Sequence, residues 1–129
     1  MLAIDANVLI RIIVDDEPHQ AKAARTLLES EETFVTSTVL LEVEWVLRSS
    51  YRLARPAVLE ALRAICGLAG VVLDEPDRVA AAIGWAEAGM DFADALHLAA
   101  AESCEAFVTF DRKLAKSAAG LKAPAIRLL

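Results

Sequence analysis

The chain has 129 residues, 57% of them hydrophobic and only 5% aromatic, with a formal net charge of −6. That composition excludes disorder and predicts one domain with an aliphatic, helix-rich core, while the acidic total argues against diffuse attraction to a polyanion. Charge interrupts every apolar run before the ~20 residues a spanning helix needs, so no membrane span and no secretory signal are expected, and two cysteines read as reduced fit a cytoplasmic setting.

In chain order, short apolar runs at 2–4, 33–36, 71–73, 106–109 and 125–128 are strand candidates. Helical spacing occupies 7–13, 18–30, 38–49, 56–66, 76–88, 92–103 and 111–118. Pro18, Pro56 and Pro76 stand where a first helical turn tolerates a missing N–H, and Gly67, Gly70 and Gly89 follow apolar helical segments. Strands separated by helices cannot close as hairpins. The pattern therefore predicts an α/β domain over 1–129, with a parallel five-stranded sheet flanked by helices on both faces. Cys66 and Cys104 lie in apolar helical contexts without metal-ligand spacing and are expected to be reduced core residues.

In such sheets the functional crevice opens beyond the carboxyl ends of the strands. Asp5 ends the first strand in Leu2-Ala-Ile-Asp5-Ala-Asn7 and reads either as a site acid or as a helix cap, a role Asn7 could equally fill. In the helix over 38–49, Glu42 is grouped with Thr38, Val39, Trp45 and Val46 on an inward face, with Glu44 and Arg48 assigned to a more polar side. An inward carboxylate requires a partner, either a buried salt bridge or a metal. Asp91 and Asp94, in Asp91-Phe-Ala-Asp94-Ala-Leu-His97, fit a capping arrangement, although Asp94 shares a protein-facing stripe with Leu98 and Ala101. Asp111 repeats the strand-then-acid arrangement in Phe107-Val-Thr109-Phe-Asp111 and could also cap a helix.

Four carboxylates converging within ~5 Å would repel by about 3 kcal/mol per pair at an effective dielectric of 20. A divalent ion bound by oxygen ligands would keep them ionised, and the lack of paired His or Cys favours magnesium or manganese over zinc. Such an ion can activate water for phosphodiester hydrolysis. His97 and His19 have no companion at a useful spacing, and His97 is read as structural.

These residues resemble PIN-domain ribonucleases, and among them the VapC-like toxins of toxin–antitoxin pairs. The resemblance spans nearly the whole chain and is sharpest at Asp5-Ala-Asn7, Leu40-Leu-Glu42-Val, Asp91-Phe-Ala-Asp94-Ala-Leu-His-Leu-Ala and Thr109-Phe-Asp111-Arg; it is least specific over 51–89. It implies a three-layer sandwich, a homodimer and a magnesium-dependent endoribonuclease. It also implies that Asp5, Glu42, Asp94 and Asp111 are the catalytic, metal-binding acids, with Asp91, Asn7 and Thr109 accessory. The implied partners are an RNA substrate and a cognate VapB-like antitoxin. Arg48, Arg52 and Arg55, and Arg112, Lys113 and Lys116, are expected to rim the crevice with positive charge, favouring structured RNA. A catalytically silent PIN-like module acting through its protein partner is the alternative. A haloacid-dehalogenase-like phosphatase is disfavoured because Asn7 stands where that chemistry requires a second Asp.

Overall fold

The computed structural model describes all 129 residues. Its helices begin where the sequence supplies partners for orphan backbone donors. Asp5, Thr36, Asp91 and Asp111 each occupy an N-cap with a side-chain oxygen accepting a backbone N–H. Pro18 and Pro56 fall in first turns, and Pro76 opens its helix. The chain divides into two compact units, Met1–Glu75 and Pro76–Leu129.

The first unit runs β1 (Leu2–Ala3), α1 (Ala6–Val14), α2 (Pro18–Ser30), β2 (Thr33–Val35), α3 (Ser37–Ser49), α4 (Arg55–Cys66) and β3 (Val71–Leu73). Its three strands pair in parallel in the order β1-β2-β3, with Leu2 opposite Thr33 and Thr33 opposite Val71. Successive strands are joined through helix pairs, as parallel pairing demands. α1 packs on α2 and α3, α3 on α4, and α4 on β3. Leu9, Ile10, Leu40, Val43, Leu47 and Leu62 are fully buried, each side chain contributing about 2 kcal/mol of apolar transfer. Beyond α1 and α3, polar bonds tie the loops together: Arg11 donates to Gln20 (2.7 Å), Asp16 (3.1 Å) and Tyr51 (3.1 Å), and the Tyr51 hydroxyl donates to Asp16 (3.0 Å).

The second unit runs α5 (Pro76–Glu87), α6 (Phe92–Ala100), β4 (Phe107–Thr109), α7 (Arg112–Ala118) and β5 (Ile126–Leu128). α5 packs on α6 and α7 on β5. β4 and β5 pair in parallel, Thr109 opposite Leu128. Gly89, at φ 119°, makes the turn between α5 and α6 in a conformation other residues rarely adopt.

The expected single five-stranded sheet is corrected here to a three-stranded and a two-stranded parallel sheet. The strands span only two or three residues, so each offers few backbone groups for a ladder. The helix expected to run to residue 103 ends at Ala100, where Ala101 N–H bonds Leu98 O and Cys104 N–H bonds Ala101 O, turns tighter than an α-helix. Cys104 is accordingly exposed rather than core, and Cys66 is half-buried, its thiol pKa raised by burial; neither forms a disulfide.

Candidate active site

Within the first unit, Asp5 sits at the head of α1, extended at ψ 161°, with Oδ1 accepting Ala6 N–H at 2.7 Å. That contact fixes the carboxylate and leaves Oδ2 for another ligand. Asn7, the second residue of α1, is exposed and lines a cleft of about 300 Å³ between α1 and α2 with Arg11, Gln20 and Leu27.

Glu42 lies on α3 as expected, but not facing inward: it is exposed, while Glu44 is the buried acid at 5% exposure. The stripe that wins is Leu40, Val43, Glu44 and Leu47, at i, i+3, i+4 and i+7, and it leaves Trp45 57% exposed. α3 is apolar on nearly all sides, so the sequence offers two competing stripes. Glu44 tolerates burial because Arg48 Nε reaches its Oε1 at 3.1 Å one turn on. Arg48 is thereby engaged by a structural ion pair rather than held for a ligand.

Sequence reasoning missed Asp74, a third acid placed just after a strand. It accepts Ser37 N–H at 3.0 Å and Ser37 Oγ–H at 2.8 Å, and Glu75 N–H at 2.8 Å, so β3 is tied to the head of α3. Its oxygens are consumed locally, which separates it from Asp5. The available signal was Ser37 beside the Thr36 cap, and it becomes legible only with the β2–β3 register.

The second unit holds three of the acids singled out by the sequence, Asp91, Asp94 and Asp111. Asp91 caps α6, its Oδ2 accepting Asp94 N–H at 3.1 Å, and Asp111 caps α7, its Oδ1 accepting Lys113 N–H (2.9 Å) and Leu114 N–H (3.2 Å). Thr109 Oγ1 in turn accepts Asp111 N–H at 3.0 Å, setting the bend between β4 and α7. Both acids therefore do serve as caps, as the alternative reading allowed, yet each cap uses one oxygen of two.

Asp94 is half-buried in the first turn of α6. Burial is the largest cause raising its carboxyl pKa; the charges of Asp91 and then Asp111 push it further in the same direction, and His97, exposed one turn along, pulls it back. Asp94, Asp91 and Asp111 thus repel one another across the heads of α6 and α7. No group of three or more His, Cys, Asp or Glu side chains is gathered closely enough to hold a metal ion as the chain stands. Within the second unit, the cleft lined by Trp85 and Lys122 includes none of these acids.

Oxygen-only donors, each held by a helix head with one oxygen remaining, fit a hard divalent cation by chemistry, and such a cation would relieve the repulsion that Asp91 and Asp111 exert on Asp94. The PIN domain profile matches residues 2–120, and the chain belongs to the PIN domain family. Comparison with curated protein sequences finds no match. No helix is long and apolar enough to cross a membrane.

Proposed function

We propose that this protein is a single-domain, divalent-cation-dependent endoribonuclease of the VapC-like branch, with Asp5, Glu42, Asp94 and Asp111 as its metal-binding catalytic acids. Asp91, Asn7 and Thr109 support them. The observation that carries this reading is the half-buried carboxyl of Asp94, its pKa raised by burial and by the charges of Asp91 and Asp111, in a chain of the PIN family. Perturbed carboxyls beside further acids gather at sites that take a compensating ligand.

A bound magnesium or manganese ion would supply an activated water and offset charge on a phosphoryl oxygen. The chain's own contribution is positioning. Asp5 and Asp111 are each locked by a hydrogen bond to a helix head, so little side-chain freedom is lost when a ligand arrives. Asp94, one turn from exposed His97, is kept partly desolvated, which strengthens its interaction with any cation. Thr109 sets the direction of Asp111 through its hydroxyl.

The physiological role proposed is the toxin of a toxin–antitoxin pair, a cytoplasmic homodimer neutralised by a VapB-like antitoxin. Induced expression of the wild type should arrest growth, and Asp94→Asn or co-expression of the neighbouring gene should restore it. Purified protein should cut RNA with magnesium and stop in EDTA. Cleavage that persists without any divalent ion would refute the mechanism; unaffected growth and intact RNA would favour the silent binding module.

A further inference from the structure

Charge is strongly segregated along this acidic chain. Residues 112–129 carry Arg112, Lys113, Lys116, Lys122 and Arg127 and no Asp or Glu, a charge of +5, so residues 1–111 carry 8 Lys and Arg against 19 Asp and Glu, or −11. All five cations belong to the second unit, and all five are exposed. At the head of this cationic segment stands Phe110, 78% exposed, the most solvent-accessible of the large hydrophobic side chains. It lies one residue past β4, between Thr109 and Asp111.

Phe110 is held on a fixed backbone rather than a loose loop. Thr109 O accepts Leu129 N–H at 3.0 Å, and the Asp111 N–H bond to Thr109 Oγ1 and the Asp111 cap of α7 fix the residues on either side. Beside it, Val108 (51% exposed) lies opposite the exposed Arg127 in the β4–β5 register. An apolar ring left in water carries a solvation cost that folding does not recover, and here Arg112 and Lys113 follow it within three residues while Arg127 lies across from Val108 in the neighbouring strand. An aromatic face among Lys and Arg is suited to a nucleobase whose phosphates are neutralised on either side, because every base offers a π-face and every linkage a negative charge.

We propose that Phe110 is a base-stacking residue: it takes an unpaired nucleobase of the RNA, with Arg112, Lys113 and Arg127 neutralising the flanking phosphates. This rests on the ribonuclease reading and deepens it. A base stacked on Phe110 is next in sequence to a linkage at Asp111, so strand selection and cutting use adjacent residues. A base inside a duplex cannot reach the ring without unstacking, so the surface discriminates single strands and loops from continuous helices.

The test is equilibrium binding of the full chain to one labelled single-stranded RNA and to its duplex, in EDTA to prevent turnover, beside a magnesium cleavage assay. Phe110→Ala should weaken single-strand binding by about tenfold, the usual effect of losing one stacked base. It should leave duplex binding and the thermal melting curve unchanged, and Phe110→Trp should retain wild-type affinity. Wild-type affinity in Phe110→Ala, equal loss on both RNAs, or a change only in oligomeric mass would overturn the proposal, the last assigning the ring to a protein contact. If the wild type itself neither binds nor cuts RNA, the ribonuclease reading fails with it. If wild type and Phe110→Ala bind and cut alike, the stacking inference alone fails.

Discussion

Asp111 separates two roles that a single carboxylate can combine, and two substitutions pull them apart. Its Oδ1 caps α7 through Lys113 N–H at 2.9 Å and Leu114 N–H at 3.2 Å. Asp111→Ala removes both acceptors and costs about 1 kcal/mol, which in a chain of this length lowers Tm by about 4 °C. Asn is as good an N-cap as Asp, so Asp111→Asn retains the cap and loses only the charge at the helix head, about 0.5 kcal/mol or about 2 °C. If Asp111 also binds the cation, both variants lose RNA cleavage by on the order of 100-fold or more, whatever their stability. Calorimetry in EDTA and cleavage of a labelled RNA in magnesium give the two numbers independently. Asp111→Asn with wild-type cleavage would show that the carboxylate is a cap and nothing else, and Asp111→Ala with unchanged Tm would show that the cap bonds do not hold α7.

Asp94 offers a prediction with a defined sign. Its pKa is raised in the folded state by burial and by Asp91 and Asp111, against the pull of His97, so ionising it opposes folding. That cost is absent well below the ordinary carboxylate value, where the carboxyl is protonated folded and unfolded alike, grows as pH rises from that value through the folded one, and is complete above it. In EDTA, Asp94→Asn should therefore raise Tm at pH 7 and lose that advantage on acidification, while abolishing cleavage; a gain that grew towards low pH would contradict the burial assignment. Magnesium at about 100 times its Kd should stabilise the wild type by about 2.7 kcal/mol and Asp94→Asn by much less, read as a shift in thermal melting. Arg48→Met leaves Glu44 buried without its partner and should cost about 2 kcal/mol, less than a fully buried pair because Arg48 is 44% exposed. Adding Glu44→Leu should restore most of that loss in a double-mutant cycle by urea unfolding, and simple additivity would show that the 3.1 Å pair contributes no coupling.

The first sequence features to become structure are those whose physics is local. All seven helices occur where spacing placed them, and Pro18–Ser30 and Val71–Leu73 match to the residue, because a proline's missing N–H and a β-branched run constrain the chain within a few residues. The caps at Asp5, Asp91 and Asp111 were legible for the same reason, since an Asx oxygen satisfies backbone donors one to three residues on. Affiliation with the PIN family was also within reach of the sequence, and the family profile matches residues 2–120.

What tertiary structure alone decided concerns groups distant in sequence. Which side of α3 is inward depended on the helices it meets, and with apolar residues on nearly every side the 3.6-residue period could not choose between Glu42 and Glu44. Asp74 could be told from Asp5 only by register: 37 residues separate it from Ser37, and the parallel pairing of β2 with β3 brings them into contact. The division into sheets of three and two strands likewise follows from which backbone groups find one another, a long-range outcome that apolar runs of two or three residues do not encode. The raised carboxyl of Asp94 belongs with these, since its causes are burial and the approach of Asp111 from the head of another helix. Local hydrogen bonding and backbone sterics write themselves into adjacent residues, whereas burial and charge proximity exist only once the chain has closed on itself.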